Sequence, residues 1–252
     1  MTNNIFVYAM LDINTFYIHA ISHTPICETW PTNYQQIKII DIELINSILS
    51  GDVHLPIKFN RTHYPAIMKA NDILAFKELM HTVPENSIVV EVGSAYGGSA
   101  YAAAETLSSN TILYCIDNKW KSNSKHKFLK PKILNYLEIN HNIFSFNSMY
   151  DFAKDYLSKW PNVKLIPANS PDDMHYWNTP IDLLFEDSSH KNPQLKENLE
   201  FWLPFIKSGG IISGHDYNDL AYPEVTAEVQ NLAKRLNQPV YEKSHIWWIY
   251  KP

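Results

Sequence analysis

Beyond about residue 85 the sequence alternates short, almost wholly apolar runs with longer amphipathic stretches. The runs are SIVVEVG (87–93), TILYCID (111–117), NVKLIPA (162–168), IDLLFED (181–187) and GIISGHD (210–216). They are short and apolar at successive positions, as parallel strands covered on both faces must be. Between them the spacing turns helical. In 192–207, Leu195, Leu199, Leu203 and Ile206 share one face. Asn192 can cap that helix with Pro193 at its first position, and Gly209 and Gly210 end it. A further helix over 223–236 starts at Pro223 and aligns Val225, Val229, Leu232 and Leu236. Residues 64–81 read as a helix leading into the first strand, and the tail offers two short strands, PVYEKSH and IWWIYKP. This alternation predicts a doubly wound, Rossmann-like α/β domain over 61–252, with seven mostly parallel strands and an antiparallel strand at the C-terminus. Residues 1–60 show no such order and read as an N-terminal extension or cap.

Composition narrows the function. A core is affordable for a chain of 252 residues that is 45% hydrophobic and 19% charged. The formal charge of −5 and the lack of a Lys/Arg run disfavour a nucleic-acid backbone as partner and favour a small molecule. Two cysteines, Cys27 and Cys115, make no disulfide framework. No apolar stretch reaches the length of a membrane span, and MTNNIFVYAMLDIN has no basic leader, so a cytoplasmic setting is expected. The oligomeric state, homo-oligomers included, stays open.

Ligands of parallel sheets bind beyond the carboxyl ends of the strands, and the chemistry here gathers there. The first place is EVGSAYGGSA, 91–100. Gly93, Gly97 and Gly98 allow a sharp strand-to-helix turn whose amides a ligand can approach. The spacing G-x-x-x-G-G differs from the dinucleotide pattern G-x-G-x-x-G, which ranks a nicotinamide oxidoreductase last. A zwitterionic amino-acid group needs a carboxylate for its ammonium, such as Glu91, and backbone donors for its carboxylate. Asp117, twenty residues past Gly97, ends the second strand, where an acid can accept both hydroxyl protons of a ribose.

ExGxxxGGS followed by a strand-terminal acid resembles the first motif, and its partner, of class I S-adenosylmethionine-dependent methyltransferases. FEDSSH (185–190), WLPFIKSGG (202–210) and GGIISGHDY (209–217) resemble one branch, the macrocin and mycinamicin type of small-molecule O-methyltransferases. The resemblance runs over about 170 residues and leaves out the first 60. It implies S-adenosylmethionine held by Glu91, Gly93, Ser94, Tyr96, Gly97, Gly98, Ser99, Asp117, Asn169, Ser170 and Asp187. Trp120 is read either as stacking on the base or as an apolar lid. Arg61, His63 and Tyr64 are read as facing an acceptor.

Asp187 and Asp216 end neighbouring strands, so their carboxylates can share one ion, and two hard oxygen ligands suit Mg²⁺. Such an ion would acidify and aim an acceptor hydroxyl. By resemblance His190 is the general base, with His215 the second candidate. Three departures from the family pattern stand out. Ser188 and Ser189 replace a common Gly-Asp, and His215 occupies a position often acidic in metal-dependent relatives. Glu186, an uncommon extra acid, should point away from Asp187 by strand alternation. The sequence therefore predicts methyl transfer to a hydroxyl of a sugar or natural-product-like acceptor. The alternatives are a metal-independent methyltransferase for another nucleophile, and a binding protein that keeps the fold without catalysis.

Overall fold

The computed structural model describes residues 6–12, 15–21, 34–37, 58–59, 62–66, 68–121 and 141–252. The chain divides into two compact units, Met1–Tyr64 and Pro65–Pro252.

In the first unit β1 (Phe6–Asp12) pairs antiparallel with both β2 (Thr15–Ile21) and β3 (Tyr34–Ile37). A ribbon of β4 (Lys58–Phe59) and β5 (Thr62–His63) follows. These strands escaped the sequence reading because FVYAMLD and TFYIHAI do not alternate apolar with polar residues.

The second unit is built on seven strands: β6 (Ile88–Val92), β7 (Ile112–Ile116), β8 (Val163–Ile166), β9 (Ile181–Glu186), β10 (Ile206–Gly214), β11 (Tyr241–Lys243) and β12 (Ile246–Tyr250). Their order is β11-β12-β10-β9-β6-β7-β8. The pairs from β10 to β8 are parallel, and β12 joins antiparallel to β10 and β11. The order reverses between β6 and β9, so the switch point lies at the carboxyl ends of these two strands.

Among the described residues five helices cover the sheet: α1 (Ala70–His81), α2 (Gly98–Thr106), α3 (Met149–Tyr156), α4 (Gln194–Trp202) and α5 (Pro223–Leu236). On one face Val90, Val92, Leu184 and Ile212 pack with Leu195, Leu199, Trp202, Val229 and Trp247 in a single buried cluster. On the other, Phe76 of α1 meets Phe185 of β9 edge-on at 4.5 Å.

Two boundaries differ from those the pattern predicts. The helix expected over 192–207 ends at Trp202, and β10 begins at Ile206. Pro204 lacks an amide hydrogen and would clash inside a helix, so Leu203–Phe205 tightens into a 3-10 turn instead. The helix expected over 64–81 starts at Ala70, where Asp72 in the first turn accepts a hydrogen bond from the Lys69 amide. Helix α5 has the expected bounds.

Candidate active site

A cavity of about 190 Å³ opens at the carboxyl ends of β6, β7 and β8. Its wall is mixed, with apolar Val92, Ile116 and Ala168 alternating with polar Asp117, Asn169 and Gln194. The Gly-rich loop forms one edge, for a reason the sequence did not reveal. Gly93 has φ +100°, and a β-carbon there would lie 2.2 Å from the Asp187 carbonyl oxygen. At Gly98 a β-carbon would lie 2.4 Å from the Ala66 amide. These glycines let neighbouring chain segments cross, and Gly93 also stands on the cavity wall.

Asp117 joins the loop to the second strand. One carboxylate oxygen accepts the Ala95 amide at 2.7 Å and the other the Lys119 amide at 2.7 Å. Each oxygen keeps a lone pair for a ligand hydroxyl. Asn169 and Ser170 also reach the wall, together with Ser188 and Ser189 and with Asn118, Lys119 and Gln194, which the sequence reading did not name. Asn118 donates to Asn169 at 3.2 Å, and Ser170 takes the Trp202 indole N–H at 2.9 Å.

Other expected cofactor residues sit elsewhere. Ser94, Tyr96, Gly97, Gly98 and Ser99 are buried in the turn and the start of α2, off the wall. Tyr96 packs edge-on to Phe152 at 5.7 Å. Glu91 lies beneath the loop, where Ser94 donates to its Oε2 while Oε1 has no hydrogen-bond partner. Burial pushes its carboxyl up to about 7. Trp120 is not among the residues lining the cavity. Its indole N–H donates to the Ala95 carbonyl at 2.7 Å, and it is 5% exposed.

The second group of residues lies beyond β9 and β10. Ligand atoms of Asp187, His190 and Asp216 fall within 4.8 Å of one another. His190 Nε2 is 2.7 Å from Asp216 and 3.6 Å from Asp187, and its ring stacks on Tyr222 at 4.2 Å. His215 Nδ1 is 3.5 Å from Asp187 and 3.4 Å from Asp216, while its Nε2 meets Asp72 at 3.1 Å. Asp187 thus belongs to this cluster and not to the cavity wall. Burial alone would lower both imidazoles, but the carboxylates outweigh it and push His190 up to about 10 and His215 well above the ordinary range. Burial would raise Asp187, yet the charge of His215 and the hydrogen bond from His190 hold it low.

Asp72, on the first turn of α1, is the member of this cluster absent from the sequence reading. It is 1% exposed and also accepts from Ser244 and from the His245 amide at 3.2 Å. A signal was present: Asp72 and Phe76 are one helical turn apart on the buried stripe of α1, where an acid needs a partner. Glu186 points away from Asp187, as alternation requires. It accepts from Ser188 and, at 3.2 Å, from Asn198. Ser188 and Glu186, read from the sequence as unrelated oddities, are one hydrogen-bonded pair. Burial pushes the Glu186 carboxyl up to about 7. Of the residues assigned to an acceptor, Arg61 lies outside the described residues, and His63 and Tyr64 lie in the first unit.

Residues 90–217 match the family described as a methyltransferase domain (Methyltransf_24). The chain belongs to this methyltransferase family. Its seven-stranded sheet is that of the class I S-adenosylmethionine-dependent methyltransferases. Among solved structures the methyltransferase is similar to a candidate caffeoyl-CoA O-methyltransferase from Staphylococcus aureus, at 15% identity and a TM-score of 0.51, covering 84% of this chain and 92% of that one. It is also similar to an rRNA methylase from Streptococcus thermophilus (19%, 0.48, 74% and 99%). A third is precorrin-6y C5,15-methyltransferase from Geobacter metallireducens (15%, 0.48, 71% and 87%). At such identities the likeness fixes the fold and leaves the acceptor open. No curated protein matches the sequence. Among the described residues, no helix is long and apolar enough to cross a membrane.

Proposed function

We propose that the methyltransferase, with residues 61–252 as its catalytic domain, carries a methyl group from S-adenosylmethionine to a hydroxyl of a sugar or natural-product-like small molecule, as in the macrocin and mycinamicin type of enzyme. The observation that carries this reading is Asp117. It stands on the cavity wall with spare lone pairs, beside a main-chain loop it braces. The cofactor fits the wall in kind: Asp117 for the ribose hydroxyls, and Asn118, Asn169 and Ser170 for the polar edge of the base. Glu91, with its unpartnered buried oxygen one residue before the wall, offers an acceptor for the ammonium. When bound, the cofactor supplies an electrophilic methyl group, whose displacement needs an in-line oxygen.

The protein's share is to hold that oxygen and take its proton. His190 borders the acid cluster; with Asp216 accepting at Nε2, its other ring nitrogen is the atom for the acceptor proton. Asp187 and Asp216 are close enough to bind Mg²⁺ between them, which would also relieve the carboxylate charge that keeps His190 protonated. A metal-independent reading has its own support, because His215 already places a cation against both carboxylates.

The first test is calorimetric titration with S-adenosylhomocysteine. Asp117→Ala should weaken binding at least tenfold, and unchanged affinity would remove the basis of the reading. The second is transfer of a labelled methyl group to a panel of sugar and polyketide acceptors, with chelator and then with Mg²⁺ restored. Recovery by Mg²⁺ selects the metal-assisted form, and indifference to both selects the other. His190→Ala should abolish transfer in the metal-assisted form.

A further inference from the structure

Ala95 is an L-residue in the left-handed region, with φ +46°. It is the first central residue of a four-residue turn closed by the Gly97 amide on the Ser94 carbonyl at 2.7 Å. Turns with a positive φ at this position favour Gly or Asn, and alanine there costs on the order of 1 kcal/mol. Two side chains from a single short segment hold it. The Asp117 carboxylate accepts its amide at 2.7 Å, and the Trp120 indole donates to its carbonyl at 2.7 Å. Trp120 is itself fixed, on the 3-10 turn Asn118–Lys121 and against Tyr150 at 5.8 Å.

We propose that Trp120 is a positioning residue for cofactor binding: it holds Ala95 in the left-handed conformation, so that the Ala95 amide orients the Asp117 carboxylate toward the cavity. The proposal rests on the reading that Asp117 holds the ribose. Trp120 acts through two hydrogen bonds and touches no ligand, since it lies off the wall. The design makes the Gly-rich loop and the segment after β7 one rigid bracket. Such pre-organisation favours binding by ordering the site beforehand.

The test is titration of the full chain with S-adenosylhomocysteine across a set of variants. Trp120→Phe keeps the ring and loses the donor, and should weaken binding about tenfold. Adding Trp120→Phe to Asp117→Asn should weaken it no further, because both act through Ala95. Adding Ala95→Gly to Trp120→Phe should recover at least threefold, because glycine takes the positive φ without support. A residue needed only for packing would show neither non-additivity nor this rescue. Unchanged affinity in Trp120→Phe, additive losses, or no recovery with glycine would each overturn the proposal. If Asp117→Asn alone has no effect, the ribose reading has failed instead. Should Trp120→Phe not fold, exchange of the Trp120 indole N–H in the unaltered protein decides. It should slow on addition of S-adenosylhomocysteine, and unchanged exchange would count against the coupling.

Discussion

The two halves of the site are held together by different forces. At the ends of β6 and β7 the structure relies on main-chain hydrogen bonds and close chain crossings, with partners 22 and 25 residues apart. At the ends of β9 and β10 it relies on buried charge, and Asp72 reaches partners 143 and 173 residues away. The first half is shaped to receive something of fixed form. The second keeps acids and imidazoles at hydrogen-bonding distance, where protons or a cation can be exchanged. On the proposed function, binding and chemistry fall to separate physical devices, and altering one should leave the other largely intact.

The sharpest way to break this separation is at the crossing both halves share. Gly93→Ala would drive a β-carbon into the Asp187 carbonyl, so it is expected to cost more than about 4 kcal/mol or to prevent folding. Urea unfolding and S-adenosylhomocysteine titration should both report the damage. Next comes Asp72→Asn, which removes the charge facing His215 Nε2 in a buried site. Breaking such a pair costs roughly 3–5 kcal/mol. Affinity of the folded protein for S-adenosylhomocysteine should change less than twofold, and a parallel loss would show the halves to be one unit.

Glu91 gives a pH-dependent contrast. The folded protein keeps its proton up to about pH 7, whereas the ordinary value is 4.5. Native chains therefore bind more protons than unfolded ones between these values, and stability falls as pH rises through that window. Glu91→Gln lacks this slope. Relative to wild type it should gain about 2.5 kcal/mol between pH 5 and pH 8, measured by urea unfolding at each pH. A difference that does not vary with pH would mean that Glu91 is ionised in the folded state. The smallest effect is expected from Tyr222→Leu. Losing the ring stacked on His190 should cost about 1 kcal/mol or less, with cofactor affinity unchanged.

The same contrast explains what could be read in advance. Strands, their order of appearance and Asp117 were legible because they depend on local runs of apolar residues and on a motif of fixed spacing. That Asp187 and Asp216 lie close together was legible because they follow neighbouring strands, while His190 was singled out by the family resemblance. The roles within the loop were less so. Gly93 and Gly98 were read as making room for a ligand; that they also make room for Asp187 and Ala66 is something no local pattern announces. Trp120 was read as a base platform or lid, since a sequence does not say where an indole N–H will find an acceptor. Asp72 was missed because its partners lie near the other end of the chain.

That last separation sets an order of events during synthesis. Domains fold as the chain emerges, N-terminal parts first. The partners of Ala95 all lie before residue 121, so this turn can close while most of the chain is still unmade. Asp72 cannot meet Ser244 or His245 until more than 170 further residues have been made. The bracket around Ala95 can thus exist early, while the cluster around Asp72 waits for residues 244 and 245.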